Sequence, residues 1–344
     1  MKESATILEF DQSHFLNQFS GSLALLDAAV QSAQQLGSDP INKIFFVACG
    51  APHQLFLSLE YWATKYAANL TFHRYFPAEL IQHNPVSLDA DSLVIFGSHS
   101  GTTQETVAAA KFIQQTPAKS LAITQSTTSP LGAAVDHTIA YGNTEQGYFS
   151  AFMLGFAFLS ALLTSREPAW KFHTSVMESL HSLPHALAEA KAMKQYDAVI
   201  QAQQLSKSPQ LYVLGSGPMF ATAYVFANCF LMEMQWMHAH ALQGAEFFHG
   251  PFEVVDPSTP LLLLIGEDPS RVIAERVHQF TRQYSQNTIV YDAQEFPMTG
   301  IAPEIRPMVA PMIVDAAMTN LVEALAILRG HPMTKRRYMG KVNY

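Results

Sequence analysis

Six short apolar runs limit what this chain can fold into: Ile44 to Ala48, Leu93 to Phe96, Leu121 to Thr124, Leu211 to Leu214, Leu261 to Ile265 and Thr288 to Tyr291. Each of the first three passes into glycine, serine or threonine and then into a helix-like pattern. Unbroken apolar runs of this length suit strands buried on both faces, and strands alternating with helices argue for a parallel sheet covered on each side. The two groups of runs also echo each other. "FFVACGAPHQLFLSLEYW" begins at Phe45 and "LYVLGSGPMFATAYVFAN" at Leu211, each an apolar strand, a turn with Gly and Pro, and an aromatic-aliphatic helix. A repeat this long is a duplicated domain and not a solenoid. The expected fold class is α/β, with two doubly wound parallel-sheet lobes in tandem.

The boundaries follow from breaks in the pattern. A helical N-terminal arm spans 1–40 and ends in "GSDP". The first lobe covers 41–166, a helical linker 167–206 and the second lobe 207–330, with a polar, basic tail over 331–344. Within the linker the helical reading runs from Pro184 to Leu205, and the last helical tract from Ala310 to Leu328. The stretch Tyr148 to Thr164 is apolar but interrupted by Ser and Gly, and reads as a buried helix too short to span a bilayer.

The 344 residues, 49% hydrophobic, are enough for two cores. Twenty Lys and Arg against 28 Asp and Glu leave a net charge of −8, and basic residues cluster only in the last ten positions. Nucleic acid and anionic membrane are therefore poor partners. Cys49 and Cys229 sit far apart in apolar segments, which argues against a disulfide framework. The opening "MKESATILEFDQSHF" has no basic stretch leading into an apolar core, so a cytoplasmic location is expected.

"SHSGTTQET", residues 98 to 106, lies where the second strand turns into a helix. A helix N-terminus presents unpaired N–H groups and the positive end of its dipole, an anion site that needs no lysine. Gly101 lets the backbone approach a ligand closely. Thr102 and Glu105 have the spacing of a capping box. The hydroxyls of Ser98, Ser100, Thr103 and Thr106 can donate to a phosphate; the same residues also suit a plain Ser/Thr-rich cap. Without a P-loop lysine, ATP or GTP is disfavoured.

This stretch resembles the phosphate loop of the SIS (sugar isomerase) domain, in which Ser-x-Ser-Gly-x-Thr groups hold a sugar phosphate. The resemblance implies phosphate contacts from Ser98, His99, Ser100, Gly101 and Thr103. It extends over about residues 40 to 344 as two such domains. The first-strand loop "ACGAPH" departs from the family pattern, with Ala51-Pro52 in place of a hydroxyl pair. Further candidate substrate contacts there are Gly50, Ala51 and His53.

The second informative segment is "LMEMQWMHAHALQGAEFFHGPFE", residues 231 to 253. Glu233 lies among Phe230, Met232 and Met234, and a carboxylate in apolar company tends toward a raised pKa and a base's role. A helix-surface glutamate is the plain alternative. His249 precedes Gly250-Pro251, a turn that fixes either a catalytic or a capping imidazole. A metal site built from Glu233, His238, His240 and His249 lacks an evident ligand set, and no metal is expected.

Glu233 and His249, sixteen positions apart, are similar to the Glu and "HGP" His of the isomerase half of glucosamine-6-phosphate synthase. "MEMQW", "AEFFHGPFE" and the ending "RRYMGKVNY" are closer still to the fructosamine-6-phosphate deglycases. The resemblance implies Glu233 as the base at the sugar carbons and His249 as an assisting acid, donated across a homodimer; higher assembly is left open. Lys341 stands where the synthase's tail lysine enters the site, or in a solvated tail. The implied reaction converts a phosphorylated sugar-amine, an Amadori product, to glucose 6-phosphate and free amine without a cofactor. An aldose–ketose isomerase and a non-catalytic sugar-phosphate-binding protein are the alternatives. A whole glutamine-dependent synthase is not expected, since no glutaminase segment with an N-terminal cysteine is visible.

Overall fold

The computed structural model describes residues 9–37 and 39–342. The first eight residues of the expected arm, Ser38 and the last two of the tail lie outside the described residues. The chain is α/β and divides into two compact units. One runs from Ser13 to Pro184 with Gly300–Ile305; the other contains His185–Thr299 and the segment from Arg306 onward.

The first unit holds five strands: β1 Lys43–Ala48, β2 Thr71–Tyr75, β3 Ser92–Gly97, β4 Lys119–Thr124 and β5 His137–Ala140. Their order is β2-β1-β3-β4-β5, every pair parallel. Alternation along the strands divides the core. Phe45, Val47, Val94 and Phe96 pack with Leu80, Ala109, Ala110 and Ile113 from the helices Pro77–His83 and Gln104–Ile113. On β1 the intervening Phe46 stacks on Phe56 of the helix Gly50–Tyr66, ring centroids 4.8 Å apart. Gly155 permits the close packing of helix Gly147–Arg166, since a Cβ there would lie 3.2 Å from Leu59 and 3.3 Å from Ile123. Glu167, the buried residue just after that helix, accepts backbone N–H bonds from Ala68, Asn69 and Leu70 at 2.7 to 3.2 Å. One carboxylate thereby satisfies the donors of a turn that no strand pairs.

The second unit repeats the plan with β6 Leu211–Gly215, β7 Ala239–Gln243, β8 Leu261–Ile265 and β9 Thr288–Asp292, ordered β7-β6-β8-β9 and all parallel. After β6 the chain forms the α-helix Met219–Tyr224, which passes directly into a π-helical stretch, Val225–Met234. Leu214, Leu263 and Ile265 pack with Phe247, Ala274 and Val277. In each sheet the strand order reverses beside its first strand, and the loops above that reversal are where ligands bind in open α/β sheets.

Two sequence expectations are corrected. The helix expected from Pro184 begins eleven residues earlier, as His173–Met193 with Pro184 inside it, and Gln195–Leu205 is separate. Its first turns carry Ser, Thr and His, which lower the helical signal without preventing the helix. The stretch judged too short to span a bilayer is the 20-residue helix Gly147–Arg166, and Arg306–Leu328 is also long and apolar enough. Burial of 83% and 67% of their apolar windows makes both core helices. Among the described residues the N-terminal arm consists of the helices Gln12–Asn17, Ser20–Ala24 and Leu26–Leu36.

Asp315, on helix Arg306–Leu328, is fully buried and its Oδ1 has no hydrogen-bond partner. Burial pushes its carboxyl from an ordinary 3.8 up to about 7. The folded state therefore favours the protonated form. Stability is greatest below the unfolded pKa and declines as pH rises from about 4 to about 7, by about 4 kcal/mol in all. Asp315→Asn removes this titration. Its melting temperature is expected to exceed the wild type's by several degrees at pH 8 and to converge with it near pH 4. A difference that does not vary with pH would contradict the assignment.

Candidate active site

The loop after β3 is built by its own hydroxyls. Ser98 is buried; its Oγ lies 3.1 Å from Thr103 Oγ1 and accepts the Gly101 N–H at 3.2 Å. Gly101 has φ +65°, and a Cβ there would meet Ser129 Oγ at 2.2 Å. Only glycine fits both the left-handed backbone and the close approach. The Gly101 carbonyl accepts from Leu131 N, and the His99 carbonyl accepts from Gln125 N and Thr124 Oγ1. Strand β4 and the turn after it therefore hold the loop from below.

The outer side of the loop is open. Ser100 and Thr102 are exposed, their hydroxyl oxygens 2.8 Å apart, at the start of the ten-residue helix Gln104–Ile113. No side chain caps that helix. Its first N–H groups and these hydroxyls together suit an anion of phosphate size. The expected capping box is not formed. Thr103, not Thr102, is the N-cap, Thr102 pairs with Ser100, and Glu105 Oε2 accepts the Cys49 thiol at 3.4 Å. Thr106 is fully buried and turned into the fold, so its hydroxyl is withdrawn from the loop surface. Burial, reinforced by Glu105, pushes the Cys49 thiol up to about 11 and keeps it neutral.

Beside the loop lies a cavity of about 210 Å³ whose walls include Ala51, Pro52, Phe56, Ser98, His99 and Tyr148. His99 Nδ1 is 2.9 Å from Tyr141 Oη, and Gly147 leaves room for the imidazole, since a Cβ there would lie 2.3 Å from Nδ1. Gly50 opens helix Gly50–Tyr66 with φ +59°. His53 does not line this cavity. It is buried, stacked on Phe76 at 4.0 Å and 3.1 Å from Arg74 Nη1; burial and the Arg74 charge push it down to about 4, so it stays neutral.

In the second unit Glu233 stands at the end of the π-helical stretch, a geometry often found at functional sites. It faces a cavity of about 630 Å³, lined also by Trp236, His238, Arg336, Arg337 and Tyr338. Burial raises its pKa above the ordinary carboxylate value, while the charge and hydrogen bond of Arg336 act in the opposite direction. Arg336 Nη2 lies 2.9 Å from Glu233 Oε1.

Two of the three sequence motifs meet here. Buried Gln235 donates through Nε2 to the His331 carbonyl at 3.0 Å. Trp236, at φ +53°, lies under Arg337 (4.3 Å) and Lys335 (5.1 Å), with the His331 ring against its edge. Lys341 does not line this cavity; its ammonium donates to the Arg336 carbonyl at 2.5 Å.

The third motif forms a separate turn. Phe247 is buried and packs, with Phe248, against Phe280, which leaves His249 exposed before Gly250 at φ +134°. His249 does not line the Glu233 cavity. His240 is exposed and stacks on Tyr212. Among the described residues no group of three or more His, Cys, Asp or Glu gathers to hold a metal ion. Sequence reasoning missed Arg336 as the partner of Glu233 because arginines in a basic tail read as solvated. The opposite charges carried by "MEMQW" and "RRYM" were the available signal.

Residues 39–165 match the SIS domain. The fructosamine deglycase of Bacillus subtilis is 34% identical over 334 residues, covering 94% of this chain and all of that protein. The fructoselysine 6-phosphate deglycase of Escherichia coli O157:H7 is 28% identical over 87% of this chain and 86% of its own length. A crystal structure from B. subtilis assigned to the phosphosugar isomerases superposes with a TM-score of 0.87 at 32% identity, over 94% of this chain and all of that one. Two parallel α/β lobes of this kind define an SIS-type phosphosugar enzyme. Within that class the chain belongs to the family of the fructosamine deglycases.

Proposed function

We propose that this chain cleaves a phosphorylated Amadori product, a 1-amino-1-deoxyfructose 6-phosphate carrying an amino acid or amine, to glucose 6-phosphate and the free amine. The observation that carries the reading is Glu233, a half-buried carboxylate with a raised pKa facing a cavity whose wall includes the tail. The 6-phosphate is held by the Ser100 hydroxyl and the amides of the 98–103 loop, with Ser98, His99, Gly101 and Thr103 shaping it. His249 assists ring opening. Glu233 takes a proton from C1 as the C2 carbonyl oxygen gains one, giving an enaminol. A proton then returns at C2 while the nitrogen loses its own, leaving an imine between C1 and nitrogen. Water adds at C1, and the C1–N bond breaks to release the amine and the aldehyde. The C2 carbonyl and the adjacent nitrogen accept the electrons, so the scheme uses no cofactor. The exposed position of His249, away from the cavity of its own Glu233, favours a homodimer in which each site takes its histidine from the partner. The scheme places the enzyme in the cytoplasm, where phosphorylated sugars are handled.

A coupled glucose 6-phosphate assay over a panel of phosphorylated Amadori compounds tests the reading; absence of product from every member would refute it. Within that assay Ser100→Ala is expected to raise KM for the phosphorylated substrate from several-fold to about a hundredfold, the range spanned by losing a hydrogen bond to a neutral or a charged group. A dephosphorylated analogue should be unaffected. Equal weakening of both would remove Ser100 from phosphate recognition.

A further inference from the structure

The ion pair between Glu233 and Arg336 poses a chemical problem whose solution points to the substrate's own charge. A carboxylate that abstracts a carbon-bound proton loses its charge as it does so. Arg336, with its side chain only 21% exposed, would then be left beside a neutral acid. An unpaired charge in such a setting is costly, so the guanidinium opposes the state in which Glu233 is protonated. A second anion at the same place removes the opposition.

The guanidinium is held for such an exchange. Its Nη1 donates to the carbonyls of Met333 (2.6 Å) and Lys335 (3.1 Å), which anchors one edge to the tail, while Nη2 reaches Glu233. Arg337 is occupied over Trp236. The groups that face Glu233 across the cavity are Arg336, Arg337, His238 and Tyr338, with Cys229 on its own helical segment. Among the described residues Glu233 is the one acid in that lining, set against two guanidinium groups. The cavity is therefore matched to an additional negative group.

Resting on the deglycase reading, we propose that Arg336 is a specificity-determining residue that passes from Glu233 to the α-carboxylate of a substrate formed on an amino acid's α-amine. The chemistry of such an adduct fixes the distance. Its carboxylate carbon is three bonds from C1 through nitrogen and Cα, a span of at most about 3.8 Å. A base touching the C1 hydrogen thus has the α-carboxylate within reach of its own ion-pair partner. Binding the correct substrate frees the base and gives Arg336 an anion that persists after proton transfer. An adduct on a distant side-chain amine, or on a simple amine, offers no carboxylate at that position.

The test compares two 1-deoxyfructose 6-phosphate adducts, one of glycine and one of glycinamide, with wild type, Arg336→Met and Arg336→Lys. Wild type is expected to favour the glycine adduct by about ten- to a hundredfold in kcat/KM, the range of a hydrogen bond to a charged group. Arg336→Met should bring that ratio close to one, and Arg336→Lys should restore part of it. With the glycinamide adduct, the acidic limb of the pH profile should move to higher pH in Arg336→Met, because the charge that lowers the Glu233 pKa is gone. Equal loss on both adducts with an unmoved acidic limb would reduce Arg336 to a structural role. A wild-type enzyme that turns over both adducts equally overturns the proposal and leaves the deglycase reading intact. No glucose 6-phosphate from either adduct, with product from another member of the panel, also overturns the proposal and leaves the deglycase reading intact; no product from any member removes both.

Discussion

Glu233→Gln is expected to lower kcat by about 10²–10⁴-fold, the usual contribution of a positioned acid–base group, with substrate still bound. The amide keeps the shape of the side chain and the apolar contacts of its segment, so loss of folding would not explain the result. The wild type should also lose activity as pH falls through the Glu233 pKa, because the base must be unprotonated to take the C1 proton. That limb should lie above the ordinary carboxylate value of 4.5, since burial outweighs the opposing effect of Arg336. Steady-state kinetics and a binding titration on the same preparation separate the two parameters. Near-full turnover by the mutant would remove Glu233 from the chemistry.

His249→Ala is expected to abolish activity almost as completely, and mixing it with Glu233→Gln is expected to restore it in part. If each site combines Glu233 of one chain with His249 of the other, a heterodimer of the two mutants has one intact site and one doubly defective site. Random pairing makes half the dimers mixed, so about a quarter of wild-type activity returns. The exposed turn that carries His249, outside the cavity of its own Glu233, motivates the experiment. Verified subunit exchange with no recovery would place both residues within one chain and refute the shared site.

How far the sequence could be read depended on where each strand lies in its sheet. Strands β1, β3, β4, β6 and β8 have neighbours on both sides and helices on both faces, so each carries an unbroken or nearly unbroken apolar run. All five were legible, as was the edge strand β9. The other three edge strands, β2 "TFHRY", β5 "HTIA" and β7 "AHALQ", are mostly half-buried and mix polar with apolar residues. Alone they read as loop, or, for β7, as a tempting pair of metal-binding histidines. What identifies each is hydrogen bonding to an inner strand, and no local pattern encodes that.

The candidate site divides in the same way. "SHSGTTQET" between a strand and a helix offers donors to an anion by composition, but the same residues suit a plain Ser/Thr-rich cap, and only the resemblance to the SIS phosphate loop favoured phosphate. Which hydroxyls face outward was not legible. Ser98 and Thr103 bond to each other inside the loop, Thr106 is buried, and Ser100 and Thr102 remain at the surface. Glu105, which looked like a cap, turns to Cys49 because that loop lies beside it in the folded sheet.

The sequence by itself determined the class of this protein: two parallel α/β lobes, a loop of small donors on the first, and a glutamate and a histidine at fixed spacing on the second. Those properties follow from local rules, namely burial on both faces, helix-terminus chemistry and residue type. The tertiary structure decided the electrostatic environment of the Glu233 carboxylate. About a hundred residues separate Glu233 from Arg336, and only the fold lays the tail over Trp236 and brings a guanidinium to 2.9 Å from that carboxylate. Burial and that one charge act on Glu233 in opposite directions, and both depend on neighbours distant in the chain.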